Sequence, residues 1–220
     1  MFWDVDHAGH GLPHNPFKSC LVPRPIGWIT TLKADGRVNL APFSQFALLG
    51  FDPGYVGFSA SVHPPDCRPK DSIVNARAQG EFVYNMVTLE MVGAMNASSQ
   101  IVDGDVSEPE ALGLECLPGR RVRTPRLACA PVAFECRVQQ FVELPGLTRE
   151  SDHTLVIGRV VGVHIDEAAL DADGRLDITR LKPVARLGYA DYTWVEHQAE
   201  LPLLNPELAA RRRYGFFGGR

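Results

Sequence analysis

From Gly27 to Ser61 apolar and polar positions follow a β pattern, and the elements it predicts are short and bounded by turns. Strands are expected at Gly27–Lys33 and Arg37–Ala41, flanking a turn that contains Asp35-Gly36, a strong short-range hairpin signal. Phe43–Leu49 and Tyr55–Ala60 follow, separated by Phe51-Asp52-Pro53-Gly54. The loop HPPDCRP is stiffened by proline, and KDSIVNARAQG reads as a short helix stopped by Gly80. Glu81–Val87 returns to the strand pattern. Thr88 is placed to cap a second helix, LEMVGAMNASSQ. Residues 102–120 are polar, acidic and rich in Pro and Gly, which predicts a surface excursion. Strands at Val132–Leu144, His153–Ile165 and near Val184–Val195 complete the pattern, with a turn at the DADG of 171–174. At the C-terminus NPELAARRRYG predicts a short helix, with Asn205 as its cap and Pro206 in its first turn. The fold expected is mainly β: a Greek-key type β-barrel with short decorating helices. An arm (1–22) precedes the barrel domain (23–200), and an extension (201–220) follows it.

Composition narrows the class. The chain has 220 residues, 45% of them hydrophobic and 22% charged, which suits a globular protein with a substantial core. Its 22 basic and 26 acidic residues give a net charge of −4, which disfavours nonspecific nucleic-acid binding. There is no apolar run of about 18 residues and no basic-then-apolar leader, so the expectation is a cytoplasmic protein without a membrane span. The five cysteines, Cys20, Cys67, Cys116, Cys129 and Cys136, are scattered without a CxxC pair and read as reduced thiols. His7, His10 and His14 sit among Gly and Pro in the arm and are read as surface residues, so no metal site is expected. No GxGxxG follows a strand, and GxxxxGK[ST], GxSxG and HExxH are absent, which removes the usual nucleotide-fold, serine-hydrolase and zinc-peptidase readings.

Several ordered segments carry a resemblance. PRPIGWITT, NLAPFSQF, FSAS, KDSIVNA, EFVYNM, DHTLVIGRV and RLGYADY, taken in that order over roughly residues 20–195, resemble the flavin reductase-like family of FMN-binding split barrels. The resemblance implies a homodimer with FMN at the interface. It places Trp28, Thr30 and Thr31 on a strand along the flavin, with Trp28 open equally to a core or interface role. Asn39 and the run Ala41, Pro42, Phe43 and Ser44 would border the ring and ribityl chain. Ser59, Ala60 and Ser61 would reach toward the ribityl–phosphate end, and Arg68, Lys70 and Ser72 would hold the phosphate. Arg186 is either a phosphate contact from the other subunit or a plain salt bridge. The Asp152-His153 pair matches a motif near the nicotinamide or flavin, although the Gly that precedes it in the family is Ser151 here. This makes His153 the candidate catalytic residue, or else a histidine that simply opens a strand. The Asn96–Ser99 run is either a flavin-edge contact or an ordinary helix end.

The residues of the phosphate segment suit that allocation on their own chemistry. A phosphate dianion is best met by a cation, hydroxyls and unpaired N–H groups. Lys70-Asp71-Ser72 supplies an ammonium, a hydroxyl and a helix N-terminus. Asp71 is expected to turn away and cap the helix or pair with a neighbouring Arg. Lack of a catalytic triad is consistent with a protein whose cofactor carries the chemistry. The leading expectation is an FMN-dependent NAD(P)H:flavin reductase, using NADH or NADPH as reductant and supplying a separate monooxygenase. An FMN-dependent oxidase or oxygenase of a small organic molecule, its pocket covered by the 102–120 excursion, and a non-catalytic flavin-binding module are the alternatives.

Overall fold

The computed structural model describes residues 1–6, 9–102 and 104–201. A two-residue strand, β1 (Arg24–Pro25), leads into the first hairpin, β2 (Gly27–Leu32) and β3 (Val38–Phe43). Its turn is built as the Asp-Gly pair dictates: Gly36 takes φ +89°, and Asp35 Oδ1 accepts from Arg37 N at 3.0 Å. The second hairpin is β4 (Phe46–Phe51) and β5 (Gly54–Ser61), turning at Asp52-Pro53. Then come α1 (Asp71–Gln79), β6 (Glu81–Met86), α2 (Val92–Ala97), α3 (Glu108–Ala111), β7 (Cys116–Leu117) and β8 (Arg126–Leu127). Two long strands, β9 (Val132–Leu144) and β10 (His153–Ile165), are followed by α4 (Ile178–Leu181), β11 (Val184–Gly188) and β12 (Asp191–Trp194).

Seven strands form one antiparallel sheet in the order β3-β2-β6-β9-β10-β5-β4. Its two edge strands, β3 and β4, are joined by Ser44 and Gln45 alone, so the sheet must curl until its ends meet. Among the described residues no ladder joins these two edges: the barrel is split there. Across the interior, the rings of Phe43 and Phe58 lie 4.8 Å apart, those of Phe58 and Phe82 5.1 Å, and Phe46 stacks on Tyr84 at 4.6 Å. Two glycines make room for these rings. A Cβ at Gly27 would sit 2.5 Å from the Phe46 ring, and one at Gly158 would sit 2.5 Å from Phe82. On the other face of β2, Trp28 packs with Leu40, Met95 and Leu127 in a second core.

Helix α1 ends where Gly80 adopts φ +69°, the left-handed cap that its sequence predicts. Four expectations change. The stretch Phe43–Leu49 is not one strand: β3 ends at Phe43 and β4 starts at Phe46, because the chain crosses the split between them. Thr88 makes no capping hydrogen bond; it bridges Pro183, and a 3-10 turn over Leu89–Met91 precedes α2. The last strand is a hairpin, folded at Tyr189 and Ala190. The 102–120 excursion is tied down, since Lys33 Nζ donates to the carbonyls of Gly104 (2.9 Å) and Val106. Asn205 and Pro206 lie outside the described residues, as does His7.

The loop from Gly119 to Thr124 is held by buried carboxylates on neighbouring strands. Glu135 accepts from the backbone N–H groups of Arg120 (2.8 Å), Arg121 and Val122 (3.0 Å), and from His164 Nε2. Glu81 Oε1 accepts from Arg123 N at 2.8 Å, Thr124 N at 2.9 Å and Thr124 Oγ1 at 3.2 Å. Burial alone would raise the Glu135 pKa. The N–H donors and His164 outweigh it and hold that carboxyl at about 2.

Candidate functional site

The free edge of β3 faces a cleft of about 110 Å³. One wall is β3 itself, through Asn39, Ala41, Pro42 and Phe43; a second is the start of α1, with Lys70, Asp71 and Ser72. His63 closes one end, and the segment after α2, from Ser98 to Val102, together with Glu108 forms the remaining wall.

Buried polar pins fix these walls. Asn39 Nδ2 donates to Ser72 Oγ at 2.9 Å, and Asn75 Nδ2 donates to Thr31 Oγ1 at 3.1 Å. Together they lock α1 against β2 and β3, with its N-terminus toward the cleft. Among the described residues no side chain caps that N-terminus. Its first-turn N–H groups and helix dipole therefore favour an anion. Ser107 Oγ donates to Val38 O at 2.9 Å, and Leu40 N donates to Glu108 Oε2 at 3.0 Å. These two side chains satisfy backbone groups that an edge strand would otherwise leave open.

Electrostatics at the closed end favour a negative ligand. Lys70 Nζ lies 3.4 Å from His63 Nδ1, and among the described residues no carboxylate comes within ion-pair distance of it. Burial first, and the Arg68 cation second, lower the Lys70 pKa. Burial and the cations of Lys70 and Arg68 lower that of His63, so its neutral ring accepts from Lys70. Asp71 turns to Arg68, at 3.3 Å, and Arg68 also pairs with Asp66 at 3.3 Å.

Of the residues predicted from sequence, Asn39, Ala41, Pro42, Phe43, Lys70 and Ser72 come together on this cleft, with Ser98 and Ser99 of the Asn96–Ser99 run. The others stand apart from its lining. Trp28 is fully buried in the second core and donates Nε1–H to Ser98 Oγ at 2.9 Å, bracing the cleft's far wall. Thr30 is fully buried and donates to Pro125 O at 2.7 Å. Thr31 is the pin described above. Ser44 is half-buried in the link across the split. On β5, Ala60 points into the core, while Ser59 and Ser61 are half-buried opposite Leu155 and His153. Arg68 is exposed beside the cleft's closed end. His153 opens β10, with Nδ1 2.9 Å from Ser151 O. Arg186, on β11, stacks 4.4 Å over the Tyr192 ring and bonds to the Tyr192 hydroxyl and the Tyr189 carbonyl.

Sequence reasoning missed His63 and Glu108. A signal existed for Glu108: Ser107-Glu108-Pro109 has the form of a helix start. His63 gave none, because a histidine before two prolines reads as loop.

A nucleotide phosphate fits the closed end of this cleft: a partly dehydrated ammonium without an anionic partner, a buried hydroxyl and an uncapped helix N-terminus converge there. Comparison with known proteins places the chain. The model of the flavin reductase like domain matches residues 19–181. An uncharacterized protein of Deinococcus radiodurans is 38% identical over 175 residues, covering 76% of this chain and 74% of its own length. The structure of nitrilotriacetate monooxygenase component B from Bacillus cereus is similar, with a TM-score of 0.83 at 26% identity over 91% of this chain and 98% of that one. The 2-nitrobenzoate 2-nitroreductase of Pseudomonas fluorescens shares the fold, with a TM-score of 0.78 at 24% identity over 92% of this chain and 96% of that one. The curled, split sheet and the extent of these matches agree, and the chain belongs to the flavin reductase-like family.

Proposed function

We propose that the chain is an FMN-dependent oxidoreductase, an NAD(P)H:flavin reductase that works as a homodimer and supplies reduced flavin to a separate monooxygenase. The observation that carries this reading is the closed end of the cleft, where Lys70, Ser72 and the uncapped start of α1 converge while Asp71 pairs with Arg68. Lys70 and Ser72, with the first N–H groups of α1, hold the phosphate. Arg68 adds positive potential from outside. Asn39 keeps Ser72 in place, and Ala41, Pro42 and Phe43 border the rest of the cofactor. When bound, the flavin supplies the two-electron chemistry, taking hydride from a nicotinamide. What the chain contributes is orientation and exclusion of water, which a close hydride transfer needs more than an acid or base.

A cleft of about 110 Å³ is smaller than a complete small-molecule site, typically about 300 Å³ or more. This supports completion by a second copy. The edge strand β4, on the other side of the split, supports it too: Leu48 is 65% exposed, Leu49 50% and Phe51 57%. In this reading Ser59, Ser61, His153 and Arg186 serve the site from around that interface. The monooxygenase partner is supported by the similarity to a protein named as a monooxygenase component.

The test is anaerobic. FMN and then NADH or NADPH are added to the purified protein, and the oxidised flavin band at about 450 nm is followed. Rapid bleaching with turnover of added free flavin is expected. A protein that leaves FMN unbound overturns the reading. The wall from Ser98 to Val102 favours a second reading, in which it shapes a pocket for a small organic substrate. Bound flavin that ignores both nicotinamides but is reduced by such a substrate would select it.

A further inference from the structure

A second cleft lies away from the flavin cleft and shares no lining residue with it. Its volume is about 490 Å³, within the range of small-molecule sites. Arg120, Arg126 and His164 line it, as do Asp166 and Glu167. The two arginines are set on rigid backbone. Arg120 N is held by the buried Glu135 at 2.8 Å. Arg126 is flanked by two buried anchors, Thr30 Oγ1 on Pro125 O at 2.7 Å and Asn85 Oδ1 on Leu127 N at 2.8 Å.

Neither guanidinium has a carboxylate within ion-pair distance among the described residues, and Arg126 Nε is buried with no hydrogen-bond partner. The arm of Arg126 makes one long contact, Nη1 to Leu127 O at 3.5 Å. A desolvated guanidinium N–H without an acceptor is costly, and proteins rarely leave one so unless something else accepts from it. The nearby acids do not serve. Asp166 Oδ1 is committed to Ala168 N at 2.9 Å, and Glu167 is exposed. His164 is already bound to Glu135 through Nε2.

We infer that this cleft binds the oxyanion head of a small molecule, a carboxylate or a phosphate, between Arg120 and Arg126. A guanidinium offers its donors in a planar fork suited to a planar or tetrahedral oxyanion, and two guanidinium side chains line this cleft. The head pairs with the arginines, and Asp166 and Glu167 in the same lining limit the charge that can enter.

The test uses the full chain as wild type, Lys70→Ala and Arg126→Gln, and as Lys70→Ala combined with Arg120→Gln or with Arg126→Gln. Thermal midpoints are followed against sodium phosphate and against sodium succinate, each compared with sodium chloride at matched ionic strength. In wild type and in Lys70→Ala, one of the two anions is expected to raise the midpoint by about 3–5 °C per tenfold increase above saturation. The same slope should be flat when Arg120→Gln or Arg126→Gln is added to Lys70→Ala, whatever the starting midpoints. A response to phosphate alone assigns a phosphate head, and to succinate a carboxylate head. Midpoints that follow chloride, or a phosphate response lost in Lys70→Ala and kept in Arg126→Gln, overturn the inference; the latter leaves the flavin-site reading intact.

Discussion

Lys70 illustrates how a single residue is made ready for a ligand. It is stripped of part of its water, sits beside a neutral histidine and, among the described residues, has no carboxylate within ion-pair distance. Replacing it with alanine removes one charge-assisted contact, an interaction of about 1.5–3 kcal/mol, so FMN affinity should fall roughly 10- to 100-fold in a fluorescence titration. An unchanged affinity would refute its place at the phosphate. Glu135 is the opposite case, a charge whose partners are all supplied by the chain. Its carboxyl is held at about 2 against an ordinary 4.5, so its contribution is complete above pH ~4.5 and drains as pH falls from there toward 2. The displacement corresponds to about 3 kcal/mol. Urea midpoints taken at pH 7 and pH 3 should converge more in Glu135→Gln than in wild type; equal pH sensitivity would show that other carboxyls govern acid unfolding.

Elements read well from sequence where their cause is local. The Asp35-Gly36 turn, the stop at Gly80 and the extents of β9 and β10 are written in neighbouring residues, and each is found where those residues place it. Thr88 misleads because a bridge to Pro183 competes with its role as a cap, and nothing near Thr88 announces that bridge. The cleft is legible in part for the same reason. Lys70 and Ser72 are adjacent in sequence to the helix they begin, whereas Glu108 reaches β3 from 68 residues away. Close approaches between elements were equally hidden. Gly158 gives no sign in sequence that a ring fills the space its side chain would need. Gly158→Ala should cost about 1–3 kcal/mol through the clash with Phe82, measured by urea denaturation, while Gly80→Ala, strained by its left-handed backbone alone, should cost about 1 kcal/mol. A silent Gly158→Ala would mean that the Phe82 ring has room to withdraw.

At the scale of the whole molecule, the small cleft and the apolar β4 edge make assembly and cofactor binding one question. If a second copy completes the site, sedimentation equilibrium should give the mass of two chains, and FMN affinity should weaken as the protein is diluted toward monomer. Tight binding independent of protein concentration would argue for a site complete within one chain. The sheet order also bears on how the molecule is made. Strand β2 pairs with β6, aligning Gly27 with Met86, and β5 pairs with β10, aligning Ser61 with His153. The middle of the sheet is therefore synthesised last. While the ribosome is still producing β9 and β10, the edges of β6 and β5 that they will cover have emerged unpaired, with the apolar run of β4 beside β5. Non-local pairing of this kind slows folding and lengthens the interval in which such edges can meet the wrong partner. Yield on expression should thus depend on the pace of translation and on chaperone supply more than the stability of the finished barrel would suggest.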